Sequence, residues 1–253
     1  MRGLLYTAAM HKPVLLCLHG WGGSKESFTE LREALQGANI EMLTPDLPGF
    51  GAEPEPATPW TVDQYAAWVE QWVARQSAAE DRPAIYLLGH SHGGRIAIKL
   101  AVRGNLQIKH LFLCAAAGIK RPRHIKRLAG FMLAKGGKVL LAIPGFSALK
   151  PLGRTVLYKL MRVHDYERAS PVMQRTLVNV SSEDLRPILK DIRIPTNIFW
   201  GEDDRMTPLA DADIMHRLIA GSTLHTFPGV RHGVHRDRAN IIAAVIHNTL
   251  AHP

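Results

Sequence analysis

Around Ser91 the chain reads Leu87-Leu88-Gly89-His90-Ser91-His92-Gly93-Gly94, one hydroxyl between two imidazoles with glycine two before, two after and three after it. Glycine at those offsets lets the backbone turn sharply where a Cβ would clash. The pattern G-x-S-x-G, between a strand and a helix, marks a turn that lifts a serine hydroxyl out of a sheet toward substrate. Here an apolar run precedes it and a helical pattern follows. A neutral serine attacks poorly, so it needs a base to take its proton and a carboxylate to orient that base. "WGEDDRMTP" offers Asp203 and Asp204 just after one apolar run, and "HTFPGVRHGVH" offers His232 and His235 just after the next. The order along the chain is serine, acid, histidine. His225, His232 and His235 would also suit a metal by residue type, but no carboxylate or cysteine at ligand spacing accompanies them, so no metal is expected. The histidines flanking Ser91 are read as acting through their backbone or as pocket lining.

The elements that must position these groups alternate. "PVLLCLHG", "IEMLTPDLPGFG", "AIYLLG", "HLFLCAAAG", "IPTNIFWG" and "STLHTF" are short apolar runs, and helical patterns separate them, which is the signature of a parallel sheet covered by helices. Ser27 with Glu30, and Thr61 with Gln64, have capping-box spacing and predict helix starts. Val62, Tyr65, Ala66, Val69, Trp72 and Val73 recur at helical spacing and read as core packing rather than as a cofactor site. From about Ile119 to Ser182 the alternation stops, leaving helical patterns and turn signals. The chain therefore reads as one sheet domain, residues 1–118 and 183–253, with a helical cap inserted at 119–182.

A chain of 253 residues is long enough for one large α/β domain with a buried core. Cys17 and Cys114 each lie in a strand-like apolar run and are expected as buried free thiols. No stretch approaches 18 uninterrupted apolar residues and the N-terminus is a poor export signal, so a soluble, cytoplasmic protein is expected. The formal charge of +9 is concentrated: Ile119 to Val163 holds eleven Lys or Arg and no Asp or Glu, leaving 20 basic against 22 acidic residues elsewhere. A basic helical segment interleaved with "FML", "VLLAI" and "LYKLM" suits either a solvated lid over an apolar pocket or contact with an anionic membrane surface. No nucleic-acid recognition motif accompanies the charge, and nucleic acid is not expected as a partner.

These stretches together resemble the α/β-hydrolase superfamily over nearly all of the chain outside the insertion. "LHGWGGS" resembles its oxyanion loop, "DLPGFG" the turn after the following strand, "GHSHGG" its nucleophile elbow, "WGEDDRMTP" its acid loop and "GVRHGVH" its histidine loop. The resemblance selects Asp204 over Asp203, as the carboxylate three residues after the glycine, and His232 over His235. It implies oxyanion donors at the backbone N–H groups of His92 and Trp21. One departure is that the family's usual first strand is missing, "LLYTAA" corresponding to the second. The implied activity is acyl transfer through Ser91, His232 and Asp204 on a small-molecule acyl or ester substrate, with no cofactor. Carbon–carbon bond hydrolysis of ring-opened aromatic metabolites, and a receptor-like protein that keeps the fold for ligand binding, are the alternatives.

Overall fold

The computed structural model describes residues 12–76, 84–121 and 169–252. Six strands form one sheet: β1 (Val14–Leu18), β2 (Glu41–Leu43), β3 (Ile85–His90), β4 (Ile108–Cys114), β5 (Thr196–Gly201) and β6 (Thr223–Phe227), in the order β2-β1-β3-β4-β5-β6 with every pair parallel. β1 and β3 are buried along their whole length, as uninterrupted apolar runs should be when helices cover both faces. β2 keeps only three residues of its run, because Pro45 and Pro48 cannot donate to a ladder.

The helices are α1 (Thr29–Ala34), α2 (Val62–Gln76), α3 (His92–Arg103), α4 (Pro171–Ser182), α5 (Arg186–Leu189), α6 (Leu209–Leu218), α7 (Val234–Asp237) and α8 (Ala239–Ala251). α2 packs on α3, α3 on the sheet, and α1 on α8. Val62, Tyr65, Ala66 and Val69 of α2 are fully buried, and Trp72 and Val73 pack against the core more peripherally. Thr61 and Gln64 form the expected reciprocal cap: Thr61 N–H donates to Gln64 Oε1 at 2.8 Å, and Gln64 N–H to Thr61 Oγ1 at 3.4 Å. The cap before α1 differs from the expectation. A 3₁₀ turn, Lys25–Phe28, comes first, and Ser27 Oγ accepts the Ser24 N–H at 3.1 Å, so Ser27 closes a turn that begins three residues earlier.

The order of the strands creates the site. The chain steps outward from β1 to β2, then returns to the other side of β1 as β3, which makes a switch point and a crevice beyond the C-terminal ends of β1 and β3. Ser91 follows β3 and the Trp21 loop follows β1, so both open on that crevice. Cys17 and Cys114 are buried free thiols on β1 and β4, with β3 between them, and burial pushes both pKa values up.

Two expectations fall partly or wholly outside the described residues. The expected absence of the first strand concerns residues 1–11, and most of the expected cap, 122–168, lies outside the described residues. What is described of that segment is its root and its return. α4 starts with Ser170, whose Oγ accepts the Met173 N–H at 3.2 Å, and Pro171 takes the first turn where no donor is needed. Leu185 N–H donates to Gly118 C=O at 2.8 Å, so the stretch after β4 and the stretch after α4 meet there. Among the described residues no helix is long and apolar enough to cross a membrane.

Candidate active site

Ser91 caps α3 with φ 52° and ψ −110°, a backbone region that costs a non-glycine residue about 1–3 kcal/mol and persists only where its surroundings enforce it. They do so here. Ser91 N–H donates to Cys114 C=O at 3.1 Å, while its own C=O accepts the N–H groups of Ala117 at 2.9 Å and Arg95 at 3.2 Å. Gly93 passes so close to β1 that a Cβ there would lie 2.0 Å from the Leu18 carbonyl oxygen. At Gly89 a Cβ would lie 2.6 Å from the Gly93 oxygen. These glycines let the serine turn and the end of β1 meet backbone to backbone.

That contact also sets the loop after β1. A Cβ on Gly20 would be 3.2 Å from Ser91 Cβ, which brings the main chain leading into Trp21 alongside the serine. His19 fixes the loop's shape: Nδ1–H donates to Gly20 C=O at 2.8 Å and Nε2 accepts the Leu47 N–H at 2.9 Å. Burial lowers its pKa, which favours the neutral ring those two bonds require. The Trp21 indole meets Phe50 and His92 edge-on, with centroids at 4.9 and 5.4 Å. His92 is the first residue of α3, so its N–H lies among those a helix start leaves without an intrahelical acceptor.

Asp204 and His232 are brought together. His232 Nδ1 donates to Asp204 Oδ2 at 2.7 Å, with Asp204 buried and His232 partly exposed. The other lone pairs of the carboxylate are taken by the N–H groups of Met206 at 2.7 Å and Thr207 at 3.1 Å, and by the Thr207 hydroxyl at 2.8 Å. Burial alone would raise the Asp204 pKa; the bonds from His232, Thr207 and Met206 outweigh it and hold the carboxyl below its ordinary value. With Nδ1 committed to the carboxylate, Nε2 is the nitrogen left free to accept a proton. Among the described residues no hydrogen bond joins Ser91 Oγ to His232; such bonds commonly tighten only once substrate is bound.

The rival residues are placed elsewhere. The Asp203 side chain is exposed, and its N–H ties the acid loop to the histidine loop by donating to Val230 C=O at 3.0 Å. His235 is buried against the His90 ring, with centroids 3.8 Å apart, and has no carboxylate partner among the described residues. His225 bonds Asn197 Oδ1 at 2.7 Å and stacks on Phe199, so it does not join His232 and His235. Thr207 and His19 escaped the sequence reading. Thr207 had a signal, lying three residues after the acid, the spacing of a side chain that closes a turn.

A model of the alpha/beta hydrolase family matches residues 15–245. The chain belongs to the alpha/beta hydrolase family. Among similar curated proteins, Lipase 1 of Psychrobacter immobilis is 24% identical over 229 residues, covering 86% of this chain and 70% of that protein. The 2-hydroxy-6-oxo-2,4-heptadienoate hydrolase of Pseudomonas putida is 25% identical over 275 residues, covering 98% and 92%. Among solved structures, an esterase from Exiguobacterium antarcticum superposes with a TM-score of 0.71 at 22% identity, covering 94% of this chain and 92% of that one. This alpha/beta hydrolase is thus similar to proteins described as a lipase, a 2-hydroxy-6-oxo-2,4-heptadienoate hydrolase and an esterase.

Proposed function

We propose that this hydrolase cleaves carboxylic esters through Ser91, His232 and Asp204 by way of an acyl-enzyme. What carries the reading is the 2.7 Å Asp204–His232 pair, its carboxylate buried, at the same end of the sheet as the strained Ser91 turn. Ser91 Oγ bonds to the ester carbonyl carbon as its proton passes to His232 Nε2. The carbonyl π electrons move onto oxygen, which the N–H groups of Trp21 and His92 receive; fixed donors of this kind contribute about 3 kcal/mol each. Collapse breaks the ester C–O bond, and the leaving alkoxide takes the proton from His232. Water then attacks the acyl-enzyme with His232 as base, and the acid product departs as Ser91 recovers its proton. Asp204 holds the imidazole in the required tautomer and stabilises its charged form.

Segment 119–182 is assigned as a cap over this site. The joining of Gly118 to Leu185 supports an insertion there, as does the way α4 docks on the core: Thr176 Oγ1 accepts the Trp60 N–H at 3.0 Å, and Arg95 donates to Glu183 C=O at 3.0 Å. The concentrated basic charge of the segment suits an anionic lipid surface. If it serves that purpose, the protein should co-sediment with anionic vesicles at low salt and release as salt rises; no co-sedimentation at low salt leaves the segment a solvated roof.

The test of the main reading is labelling by a fluorophosphonate and turnover of a short p-nitrophenyl ester. Ser91→Ala should lose both, and His232→Ala should lose nearly all turnover while staying folded. Because the members of a triad act as a unit, the double variant should be little worse than either single one. Activity of purified Ser91→Ala above a few per cent overturns the assignment. Carbon–carbon bond hydrolysis is the second reading, favoured by the near full-length match to the Pseudomonas putida enzyme. Turnover of a vinylogous diketone without ester turnover would select it.

A further inference from the structure

His90, the residue before Ser91, ends β3 and is buried, with the loop after β1, the His232 loop and helix α7 meeting on its ring. Its Nε2 lies 3.0 Å from the His232 carbonyl oxygen. A carbonyl only accepts, so Nε2 carries the proton. Nδ1 faces the loop after β1, at the point where a Cβ on Gly20 would lie 2.9 Å away. The ring also lies against that of His235, tilted by 36°, and His235 in turn meets Phe28 edge-on at 5.5 Å. The His90 and His232 rings are 4.9 Å apart. Burial, with His235 and His232 close by, holds the His90 pKa well below the ordinary value, so the neutral donor form is kept.

The bond to Asp204 grips His232 at Nδ1 alone, which leaves the ring free to pivot and Nε2 to swing. Holding the backbone of the same residue fixes the Cα from which the ring hangs and so narrows the range Nε2 can reach. We propose that His90 is a positioning residue: its Nε2–H clamps the His232 carbonyl, backed by the His235 ring, and so sets the distance from His232 Nε2 to Ser91. The inference rests on the triad assigned above. A displacement of about 1 Å in such a geometry is enough to cost about a hundredfold in rate.

The test compares His90→Leu, which removes the donor, with His90→Gln, whose amide N–H reaches about as far as Nε2. His90→Asn, polar but too short to reach, replaces the leucine variant if that one fails to fold. Turnover of p-nitrophenyl ester is measured per fluorophosphonate-titrated site, beside melting temperature and the downfield NMR resonance of the His232 Nδ1 proton, identified by its loss in His232→Gln. A positioning role predicts kcat lowered about ten- to a hundredfold in the donor-less variant with KM little changed, a broadened resonance, and recovery of both in His90→Gln. Unchanged kcat per titrated site in the donor-less variant overturns the proposal. So does a loss in both variants that follows melting temperature alone. If the wild type turns over no ester, the ester reading fails separately and the resonance decides: broadening in His90→Leu with recovery in His90→Gln supports the clamp, and an unaltered resonance refutes it.

Discussion

At the Ser91 turn main chain packs on main chain, whereas at the Asp204–His232 pair backbone and side-chain donors converge on one carboxylate. The first region is closed by Gly89 and Gly93, with no room for a methyl group, and by the carbonyls of Leu18 and Cys114. The second is closed by Thr207, Met206 and His232, each donating to one carboxylate. The difference separates two kinds of failure. Adding an atom to the first region disturbs the sheet itself, because β1, β3 and α3 converge there. Changing a charge in the second leaves the packing alone and alters only where a proton resides.

The sharpest way to break this contrast is at the two neighbouring aspartates. Asp204→Asn is nearly isosteric, but its amide cannot stabilise an imidazolium and presents a donor where Nδ1–H needs an acceptor. We expect kcat for a short ester to fall about 10³–10⁴-fold with the melting temperature shifted by only a few degrees. Asp203→Asn, altering an exposed side chain whose structural bond is made by its backbone, should stay within about twofold. Reversal of that ranking in measured kcat would move the acid role to Asp203.

The glycine side makes the opposite demand. In Gly93→Ala the new methyl would lie 2.0 Å from the Leu18 oxygen and 2.7 Å from the His19 oxygen, both backbone atoms that cannot rotate away. A destabilisation of about 3 kcal/mol or more is expected, read as a lower midpoint in urea or as insoluble expression. A Gly93→Ala protein of wild-type stability with reduced kcat would mean that the elbow is held by function-specific contacts and not by backbone packing.

The two regions also differ in how far the sequence announced them. Gly89, Gly93 and the apolar run before them have fixed offsets because a strand-to-helix turn permits few arrangements, so the elbow and the six strands were visible in advance. The choice of Asp204 over Asp203 came from resemblance alone: adjacent residues of one type are equivalent until burial distinguishes them. Nothing periodic marks His19, His90 or His235, which are joined to groups distant in sequence; only the strand order brings His90 to the His232 carbonyl across 142 positions. The cap before α1 was misplaced by three residues because Ser24 and Ser27 both suit a turn, and their spacing does not say which one begins it.

A third polar cluster refines the comparison, for β5 carries Asn197 within the strand and leads on to Asp204 beyond it. Asn197 Nδ2 donates to His110 Nε2 at 2.8 Å on β4, and its Oδ1 accepts from His225 Nε2 at 2.7 Å on β6. An amide between two imidazoles offers no negative charge, and burial lowers both pKa values, that of His110 to about 4. The sign follows from linkage. Between pH 6.5 and about 4 the unfolded chain binds protons that folded His110 refuses, so stability falls as pH falls through that window. Buried His19, His90, His92 and His235 act in the same direction. The melting temperature should therefore drop steadily from pH 7 to pH 4.5. Asn197→Asp places a carboxylate between His110 and His225, as Asp204 stands beside His232, and raises both of their pKa values. Its melting temperature should fall less steeply over the same range, though not become flat, since the other four histidines are untouched. Equal slopes in wild type and variant, measured by scanning fluorimetry at fixed ionic strength, would show that the His110–Asn197–His225 cluster contributes nothing to the acid sensitivity of the fold.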